Sequence, residues 1–404
     1  MNYLLLPDNE PQETPELSIV IPALNEEITI SEFVAWCQKG IQDAGIAGEI
    51  LIIDSSTDHT AELALSGGAR VLKTPKQGLG RAYQNALPHV RGRFILMGDA
   101  DCTYDFRHIR PFIESFRRGS EFIMGSRFRG SIEPGSMPLL HRYFGTPVTT
   151  QMLNVIYRSK FTDIHCGMRG ITRDAFSRMR LRSSSWEYAS EMVLKSVQMQ
   201  LKTDEVPVSF LKDKEGRCSH HKREGWLSPW KAGWINLRAM LVNGVDFFAL
   251  RPGFFLFCFG LILTLPLTFG SIRVGPITFS IFWMLLGMSL TVVGLQSFYM
   301  GCLGRVLHDY KGDSRRFWMK LFSYNRSMLA SGALLTAGIL LLLPLCYVYW
   351  RLDYRLPIKV GRVHHMAIAG LLGIILAFMN FIFTLVFHAV AAAIHDHREP
   401  LEYP

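Results

Sequence analysis

The sequence predicts an α/β domain built on a Rossmann-like sheet, followed by interface helices and four transmembrane α-helices. In the first half of the chain, short β-branched apolar runs alternate with segments of helical periodicity. Acidic residues directly follow two of these runs. In the second half, the apolar runs are long enough to cross a bilayer, and between residues 253 and 304 Arg273 is the only charged side chain.

The N-terminal half contains five predicted strands, at residues 17–23, 49–54, 69–74, 93–99 and 121–127. Strands that alternate with helices favour a parallel, doubly wound sheet with helices on both faces. Such sheets bind ligands beyond the carboxyl ends of their strands. Asn25, Asp54, Asp99 and Asp101 all fall at these ends. A binding site is therefore expected at that edge of the sheet.

Four membrane spans are predicted in the C-terminal half. Residues 253–304 are long enough for two spans with a tight turn at 271–276, and residues 327–350 and 366–387 supply two more. The N-terminal segment is too short and too acidic for a signal peptide. We therefore expect a multi-pass membrane protein whose catalytic domain is cytoplasmic, with its C-terminal tail on the same side.

Composition argues against two classes of protein. The seven cysteines contain no C-x-x-C pair, so a disulfide framework or a zinc site is not expected. The formal net charge of +9 would suit a nucleic-acid partner, but basic and aromatic residues cluster beside the first span, so a membrane surface explains them better. Trp226, Trp230 and Trp234 recur at helical spacing there, which predicts interface helices over residues 223–250.

The acidic turn after the fourth predicted strand indicates metal chemistry. Asp99 and Asp101 are separated by Ala100, and alternate side chains of an extended chain share a face. Two carboxylates on one face can approach a single hard cation such as Mg²⁺ or Mn²⁺. A diphosphate leaving group needs such an ion, because negative charge builds on it as its bond breaks.

Several motifs in the first 240 residues resemble those of one enzyme family. They are "IPALNEE" (21–27), "IDSSTDHT" (53–60), "KQGLGRAYQNAL" (76–87), "GDADCTYD" (98–105), "MGSRF" (124–128), "DIHCGMRGITRDAF" (163–176) and "EYASEMVLKSVQMQLKTDEVPVSF" (187–210). In this order they resemble the family 2 glycosyltransferases of GT-A fold, and more narrowly the dolichyl-phosphate or polyprenyl-phosphate sugar synthases. The resemblance implies an inverting transfer of a hexose from a nucleotide-diphosphate sugar to a polyprenyl phosphate.

The resemblance also implies a donor site with a divalent metal. Asp99 and Asp101 would hold Mg²⁺ or Mn²⁺. The residues implied to bind the nucleotide sugar are Pro22, Leu24, Glu26, Asp54, Gly78, Arg81, Asp99 and Ala100. Two departures leave the nucleotide open, because Ile53 stands where the family usually has the first Asp of a pair and Ser55 replaces a Gly.

Basic residues in and near the matched motifs are the candidates for the acceptor phosphate, since guanidinium groups grip phosphate oxygens in pairs. These candidates are Arg127, Arg142, Arg169, Arg217 and His220, the last at the position of a family Lys. Asp101, Glu191 and Arg127 are the predicted catalytic residues, with either carboxylate as a base. A strong base is optional, because a phosphate monoester is already largely anionic near neutral pH.

Other functions stay open at this point. A processive polysaccharide synthase usually carries a Q-x-x-R-W motif, whereas "RRFW" (315–318) lacks the Gln. A transferase acting on another lipid, such as diacylglycerol, and a non-catalytic scaffold are further alternatives. The sugar, the lipid length and assembly into a homo-oligomer are left open. The predicted boundaries are a tail (1–16), the GT-A domain (17–222), interface helices (223–250), the transmembrane region (251–390) and a cytoplasmic tail (391–404).

Overall fold

The protein divides into two compact units, residues 1–242 and 243–404. The structure is a computed structural model. It describes residues 2–8, 14–157, 159–184, 187–214, 216, 238, 241, 244–307, 309, 313–355 and 361–396. Most of the predicted interface segment 223–250, with its three tryptophans, lies outside the described residues, as do Arg217 and His220.

The first unit contains an eight-stranded sheet in the order β1-β4-β3-β2-β5-β7-β6-β8. The strands are β1 (Tyr3–Leu5), β2 (Leu17–Ala23), β3 (Gly48–Asp54), β4 (Arg70–Lys73), β5 (Phe94–Met97), β6 (Phe122–Ile132), β7 (Arg169–Thr172) and β8 (Thr203–Phe210). The helices are α1 (Ile30–Ala44), α2 (Thr60–Ser66), α3 (Leu79–Ala86), α4 (Arg110–Arg117), α5 (Thr146–Tyr157), α6 (Arg173–Met179) and α7 (Glu187–Gln198).

The sheet is mixed, which corrects the prediction of a wholly parallel sheet. The pairs β2–β3, β2–β5, β3–β4 and β6–β8 are parallel. Strand β1 is antiparallel to β4, and β7 is antiparallel to both of its neighbours. The connection from β6 through α5 keeps the chain at the carboxyl edge of β6, so β7 starts at that edge and must run in the opposite direction.

Helix α1 shows how the sequence pattern becomes packing in this unit. Ile30, Phe33, Val34 and Cys37 are buried at the spacing of one helix face, and the helix ends at Gly45 in the left-handed region. Phe33 contacts Phe106 edge-to-face with ring centroids 5.0 Å apart. At Gly40 a Cβ atom would lie 2.1 Å from the Phe106 carbonyl oxygen, so glycine permits the backbone of α1 to approach the segment that follows the acidic turn.

The second unit contains four helical segments that are long and apolar enough to cross a membrane: Asp246–Phe269, Ile281–Leu307, Tyr324–Arg351 and Arg362–Ala393. Its helices are α8 (Arg251–Thr264), α9 (Ile281–Leu307), α10 (Asp313–Leu321), α11 (Tyr324–Arg351) and α12 (Arg362–Asp396). The prediction of four spans is confirmed. The predicted turn at 271–276 falls within a hairpin of β9 (Ile272–Val274) and β10 (Ile277–Phe279).

Glycines and one amide hold these helices together. A Cβ at Gly294 of α9 would lie 2.2 Å from the Phe257 nitrogen, so α8 and α9 pack backbone against backbone. Asn380 of α12 accepts a hydrogen bond from the Tyr299 hydroxyl of α9 at 2.7 Å and donates to the Ser327 carbonyl and Ser331 hydroxyl of α11, each at 2.9 Å. Satisfied polar contacts of this kind join three helices inside an apolar layer.

Candidate active site

The candidate site lies at the carboxyl edge of β2, β3 and β5. The parallel register pairs Ala23 with Asp54 and Val20 with Met97, so the three strands end at the same edge. Asp54 is the last residue of β3, and Asp99 follows β5 after one intervening residue. The structure therefore brings together the strand ends that the sequence pattern identifies.

Asn25 joins the loops that follow β2 and β3. Its backbone has a φ of 53°, a left-handed conformation that Asn tolerates better than most residues. Its side-chain oxygen accepts a hydrogen bond from the Thr57 amide at 3.0 Å, and its own amide donates to the Ser56 hydroxyl at 2.7 Å. Asn25 and these partners were not among the residues predicted to bind the donor, although an Asn just beyond the end of a strand is a signal for such a turn.

Asp54 is fully buried and already has a cationic partner. Lys73 at the end of β4 donates to its Oδ2 at 2.6 Å, and the Ser56 amide donates to its Oδ1 at 3.2 Å. Burial acts to lower the pKa of Lys73, but the hydrogen bond and charge of Asp54 outweigh it, and the pKa is raised. Lys73 is thus a fixed cation that the sequence analysis missed. The nucleotide contact of Asp54 stays a prediction.

The acidic motif lies in a turn rather than in an extended strand. Strand β5 ends at Met97, Ala100 and Asp101 form a turn, and Cys102 has a φ of 59°. Asp99 and Asp101 therefore do not lie on an extended strand, and the prediction that strand alternation brings them to one face is wrong. Asp101 is instead fixed by Thr103, whose amide and hydroxyl both donate to its Oδ1, at 3.0 and 2.5 Å.

Asp99 lies against a glycine from a distant part of the chain. A Cβ at Gly167 would lie 2.5 Å from its Oδ2, so any larger residue there would displace the carboxylate. The Gly167 amide donates to the Tyr104 hydroxyl at 2.8 Å, which fixes this approach. Two carboxylates held at one turn fit a hard divalent cation. Among the described residues, no group of three or more His, Cys, Asp and Glu side chains could hold a metal by itself, so the diphosphate would have to add ligands.

Two stacked tyrosines support the backbone before the acidic turn. Tyr83 of α3 and Tyr188 of α7 stack with ring centroids 4.9 Å apart. The Tyr83 hydroxyl donates to the Gly98 carbonyl at 3.2 Å, and the Tyr188 hydroxyl lies 3.1 Å from the Met97 sulfur. Burial raises the pKa of both phenols, so both stay protonated donors. This pair was not predicted from the sequence, because only the fold brings residues 105 positions apart into contact.

Glu191 of α7 is bound on both carboxylate oxygens by the protein itself. Its oxygens accept hydrogen bonds from the amides of Arg182 and Ser183, the shortest at 2.8 Å, and Lys195 lies 2.6 Å from Oε1. Burial acts to raise the pKa of Glu191, but these partners outweigh it and lower the pKa. The role of base predicted for Glu191 stays a prediction, and its contacts favour a positioning role.

The loop that Glu191 holds packs on the start of α3. The Arg81 amide donates to the Ser184 carbonyl at 3.2 Å. At Gly80 a Cβ would lie 2.1 Å from the Ser183 carbonyl oxygen, so only glycine allows this approach. Gly78, with a φ of 102°, begins the helix, and the Arg81 side chain is exposed. Through the backbone of this loop, Glu191 therefore supports Gly80 and the predicted donor residue Arg81.

We expect Glu191→Gln to lower stability by about 3 kcal/mol, because Lys195 would lose its anionic partner in a largely buried position. If Glu191 only positions the loop, the pH profile of kcat keeps its shape and the KM for the nucleotide sugar rises. Thermal unfolding and steady-state kinetics of the full chain measure both effects. Loss of the acidic limb of the pH profile with unchanged stability would instead identify Glu191 as the base.

Arg127 and Asp163 form a buried ion pair behind the acidic turn. The guanidinium donates to both carboxylate oxygens, at 2.7 and 2.9 Å, and Asp163 is fully buried. Burial acts to lower the pKa of Arg127, but nearby Tyr104 and the bond to Asp163 outweigh it and raise the pKa. The catalytic and phosphate-binding roles predicted for Arg127 stay predictions. An internal bidentate partner favours a role in holding β6 against the loop before β7.

The guanidinium of Arg169 likewise has its hydrogen-bond partners within the protein. At the start of β7 it donates to the carbonyls of Cys166 at 2.9 Å, Ala189 at 2.6 Å and Ile164 at 3.4 Å. It is buried, so it ties the 164–166 loop to α7. A phosphate would have to compete with three carbonyl oxygens, and its phosphate-binding role stays a prediction.

His165 is a neutral side chain within this cationic surrounding. Burial lowers its pKa from the ordinary 6.5 to about 4, and the charges of Arg127, Arg169 and His141 add to this shift while Asp163 opposes it. Its Nε2 lies 2.8 Å from the Thr149 hydroxyl of α5. An uncharged imidazole links α5 to the loop before β7.

The depressed pKa of His165 makes stability depend on pH. The folded state binds this proton less readily than the unfolded state, so its contribution is complete above about pH 6.5 and is lost as the pH falls toward 4. We expect this loss of stability to be about 3 kcal/mol. His165→Gln keeps a partner for Thr149 and should flatten the pH dependence of the unfolding temperature over that window. An identical curve for the variant would contradict the assignment.

An exposed apolar face on the first unit was also missed by the sequence analysis. It comprises Leu139, Leu140, Tyr143, Phe144 and Val148, just before and within the start of α5. Leu139 is 72% exposed and Tyr143 69% exposed. Arg142 lies among them, half-buried, with its guanidinium 5.5 Å from the Tyr143 ring. The predicted phosphate ligand Arg142 thus lies beside the largest exposed aromatic and aliphatic group of this unit's described residues.

The other predicted donor residues lie at or beside the same strand edge. Pro22 belongs to β2 and pairs with Ile53, and Leu24 follows β2 half-buried. Glu26 is buried, and its amide donates to the Thr60 hydroxyl at 2.9 Å. Ala100 is buried within the acidic turn. Their contacts to a nucleotide stay predictions.

Comparison with known proteins identifies the family. The family model described as glycosyl transferase family 2 matches residues 18–180, and the glycosyltransferase family 2 C-terminal transmembrane region matches residues 307–391. The low-salt glycan biosynthesis hexosyltransferase Agl6 of Haloferax volcanii is 39% identical over 298 residues, 73% of this chain and 70% of that protein. The chain belongs to glycosyltransferase family 2. The resemblance stated from the motifs is confirmed.

Two further relatives of this family 2 glycosyltransferase are also proteins of Haloferax volcanii. Glycosyltransferase AglJ of Haloferax volcanii is 30% identical over 205 residues, 50% of this chain and 66% of that protein. A dolichyl-phosphate hexose transferase of Haloferax volcanii is 26% identical over 199 residues, 48% of this chain and 82% of that protein. With four candidate spans and the matched transmembrane region, the chain is a membrane glycosyltransferase, and members of its family take nucleotide sugars as donors.

Solved structures resemble the GT-A domain of this family 2 glycosyltransferase. The mannosyl-3-phosphoglycerate synthase from Rubrobacter xylanophilus is 21% identical, covers 56% of this chain and 72% of that chain, and has a TM-score of 0.42. The glucosyl-3-phosphoglycerate synthase from Mycobacterium tuberculosis, in complex with Mn²⁺, UDP-glucose and phosphoglyceric acid, is 17% identical over 52% of this chain and 79% of that chain, with a TM-score of 0.39.

Proposed function

We propose that this enzyme transfers a hexose from a nucleotide-diphosphate sugar to the phosphate of a polyprenyl lipid, with inversion at the anomeric carbon. The observation that carries the proposal is the acidic turn, in which Thr103 and Gly167 fix Asp101 and Asp99 at the carboxyl edge of the sheet. The exposed apolar face around Arg142 supports a lipid acceptor. The similarity to a dolichyl-phosphate hexose transferase supports a lipid phosphate in particular.

The donor would be held by its diphosphate at Asp99 and Asp101. Both carboxylates offer the hard oxygen ligands that Mg²⁺ and Mn²⁺ prefer, and the bound ion would neutralise charge on the departing diphosphate. Asp54, fixed by Lys73, lies at the end of β3, which is separated from β5 by β2, and would contact the nucleoside. The loop of residues 181–184, held by Glu191, supports the backbone of Arg81 at the start of α3.

The reaction needs little proton transfer. An oxygen of the lipid phosphate attacks the anomeric carbon, a new carbon–oxygen bond forms, and the bond from that carbon to the nucleotide diphosphate breaks with its electron pair leaving on the diphosphate. The attacking oxygen is already anionic near neutral pH. Most of the acceleration then comes from alignment of the two substrates and from stabilisation of the leaving charge.

The membrane unit gives this chemistry its location. Each CH₂ of a polyprenyl chain that stays in the bilayer contributes about 0.8 kcal/mol to the free energy of keeping the lipid there. A lipid of many carbons therefore does not leave the bilayer. The site must therefore lie near the head groups, and the four spans keep the enzyme in the membrane that holds its acceptor. We propose that the catalytic unit faces the cytoplasm, where nucleotide sugars are made, and that residues 17–222 form the catalytic domain.

A panel assay tests the proposal. Purified full-length protein is incubated with UDP-, GDP- and N-acetylated sugar donors, Mn²⁺ or Mg²⁺, and either undecaprenyl phosphate, dolichyl phosphate or diacylglycerol, and the products are separated by thin-layer chromatography. We expect a single acid-labile glycolipid that forms only with a polyprenyl phosphate and a divalent ion. A glycolipid formed only from diacylglycerol, or a polymer at the origin, would overturn the acceptor assignment.

A further inference from the structure

Helix α5 and the turn before it expose large apolar side chains while threonines are buried. The chain is helical from residue 139 to the end of α5. Thr146 and Thr150 are buried on the side that faces the unit, together with Leu153 and Ile156. The exposed apolar face lies on the other side, and Val155, 57% exposed, continues it along the helix. A helix of a soluble domain usually shows the reverse arrangement, with polar side chains outward and its apolar stripe toward the core.

A wide turn just before α5 brings the apolar side chains to one side. The Thr146 amide donates to the His141 carbonyl, five residues earlier, whereas an α-helix joins residues four apart. Seven residues make about two turns of an ordinary α-helix, which would bring Leu139 to the buried side with Thr146. The wide turn instead sets Leu140 and Phe144 in line with Val148. Such turns are rare, and they occur frequently at functional sites.

Polar bonds on the inner side fix the orientation of α5. The Thr149 hydroxyl lies 2.8 Å from Nε2 of His165 in the loop before β7. The Asn154 side chain donates to the Phe161 carbonyl at 2.8 Å and accepts from the Phe161 amide at 3.1 Å. Rotating the helix to bury its apolar face would break these bonds. The outward position of the apolar face is therefore built into the unit.

The apolar face is a concentrated feature of the first unit. The other exposed large apolar side chains among the described residues of this unit, apart from Val155, are Tyr3, Leu6, Ile28 and Leu241, and no helix carries more than one of these four. Single exposed apolar side chains are ordinary on a protein surface, whereas a contiguous group marks an interaction surface. Five such side chains within residues 139–148 form a contiguous group that requires an apolar partner.

The size and charge of this surface favour a bilayer over a protein partner. A specific interface between two proteins uses about 20 to 30 residues of each partner, and the apolar face has five. The sequence has no Asp or Glu between Glu133 and Asp163, so no acidic side chain of this segment is repelled by anionic head groups. The four spans keep the whole chain beside a bilayer at all times.

We propose that the exposed apolar face is inserted into the head-group and acyl boundary of the bilayer that holds the spans. The catalytic unit then has a membrane contact of its own, in addition to the spans. Helices with one apolar side lie in this boundary with that side buried among the acyl chains. The inference rests on the membrane anchoring of the chain and does not depend on which lipid accepts the hexose.

Photo-cross-linking of the full chain in nanodiscs tests this contact. The photoreactive residue benzoylphenylalanine replaces Phe144 in one protein and Val148 in another, and the nanodiscs contain phosphatidylcholine and phosphatidylglycerol without any polyprenyl phosphate. After illumination, intact-protein mass spectrometry identifies the adduct. We expect a phospholipid adduct at both positions. The double variant L140Q with V148Q should lower the adduct yield at Phe144 about tenfold, because it removes the apolar neighbours that hold the helix in the boundary.

The matched control is Leu6, which is apolar and 54% exposed, close to the 60% of Phe144. Its neighbour Leu5 pairs with Val71 near the start of β4, so Leu6 lies at the edge of the sheet opposite to the candidate site. Benzoylphenylalanine at Leu6 should give about tenfold less phospholipid adduct than at Phe144. Equal yields at the two positions, or a cross-link from Phe144 to a second copy of the chain, would overturn the proposal. An adduct that forms at Phe144 only when undecaprenyl phosphate is added would also overturn it, because the face would then bind the acceptor rather than the bulk bilayer.

Discussion

Asp101→Asn is expected to lower kcat by on the order of 10³-fold while the protein stays folded. The amide can still accept the hydrogen bonds from Thr103, so the turn keeps its shape. It loses the negative charge that would attract a divalent ion and hold it against the diphosphate. Initial rates at increasing Mn²⁺, with a saturating lipid acceptor, measure the effect, and added metal should restore only part of the rate.

The control for this variant is an acid on the surface of the same unit. Asp174→Asn changes a largely exposed carboxylate of α6 that pairs with Arg178 four residues later, and it should leave kcat unchanged. Thr103→Val should give an intermediate loss, because it removes one of the two hydrogen bonds that orient Asp101. Full activity of the Asp101 variant in the presence of a chelator would refute a metal role for the acidic turn.

Asp163→Asn is expected to lower stability by about 3–5 kcal/mol, which is the cost of leaving one member of a buried ion pair without its partner. Arg127 would stay charged and buried with no anion to receive its two short hydrogen bonds. The loss should appear as a lower unfolding temperature of the full chain in detergent. Without the Asp163 carboxylate the pKa of His165 would fall further, so the loss of stability on acidification should continue below pH 4 in this variant.

A second variant separates structure from phosphate binding at this pair. Arg127→Met combined with Asp163→Asn removes both charges and should recover more than half of the stability lost in the single variant. If Arg127 also binds the acceptor, this double variant will show a raised KM for the lipid phosphate and an unchanged KM for the nucleotide sugar. If the single and double variants were equally unstable, the unpaired charge of Arg127 would not be the cause of the stability lost in Asp163→Asn.

Much of the architecture was predictable because it rests on local patterns. The apolar spacing of α1 and the five strand runs predicted the sheet edge that carries the candidate site, and the uncharged stretches predicted the four spans. Strand β7 was missed because Arg169–Thr172 is only four residues long and owes its existence to pairing with two strands that lie far from it in sequence. Strand β1 was missed for the same reason, because this short segment is a strand only through its pairing with β4.

The roles of individual charged residues were less predictable. Arg127, Arg169 and Glu191 each lie in a matched motif, and a motif places a residue near a site without saying which partner it takes. In the fold each of them meets a carboxylate, a set of carbonyls or a lysine of the same chain. Lys195 lies four residues after Glu191 on the same helix, a spacing that the sequence does show. The other partners come from segments distant in the chain or from backbone groups, and the spacing of residues along the sequence carries no record of them.

The sequence alone determined that this chain is a membrane-bound family 2 glycosyltransferase with an acidic turn at a sheet edge, because periodicity, uncharged length and ordered motifs are local properties. Only the tertiary structure decided which charges face inward, that Gly167 approaches Asp99, and that the apolar face beside α5 is turned outward. The physical reason is that burial and partner choice depend on which distant segments meet, and those contacts exist only once the chain is folded.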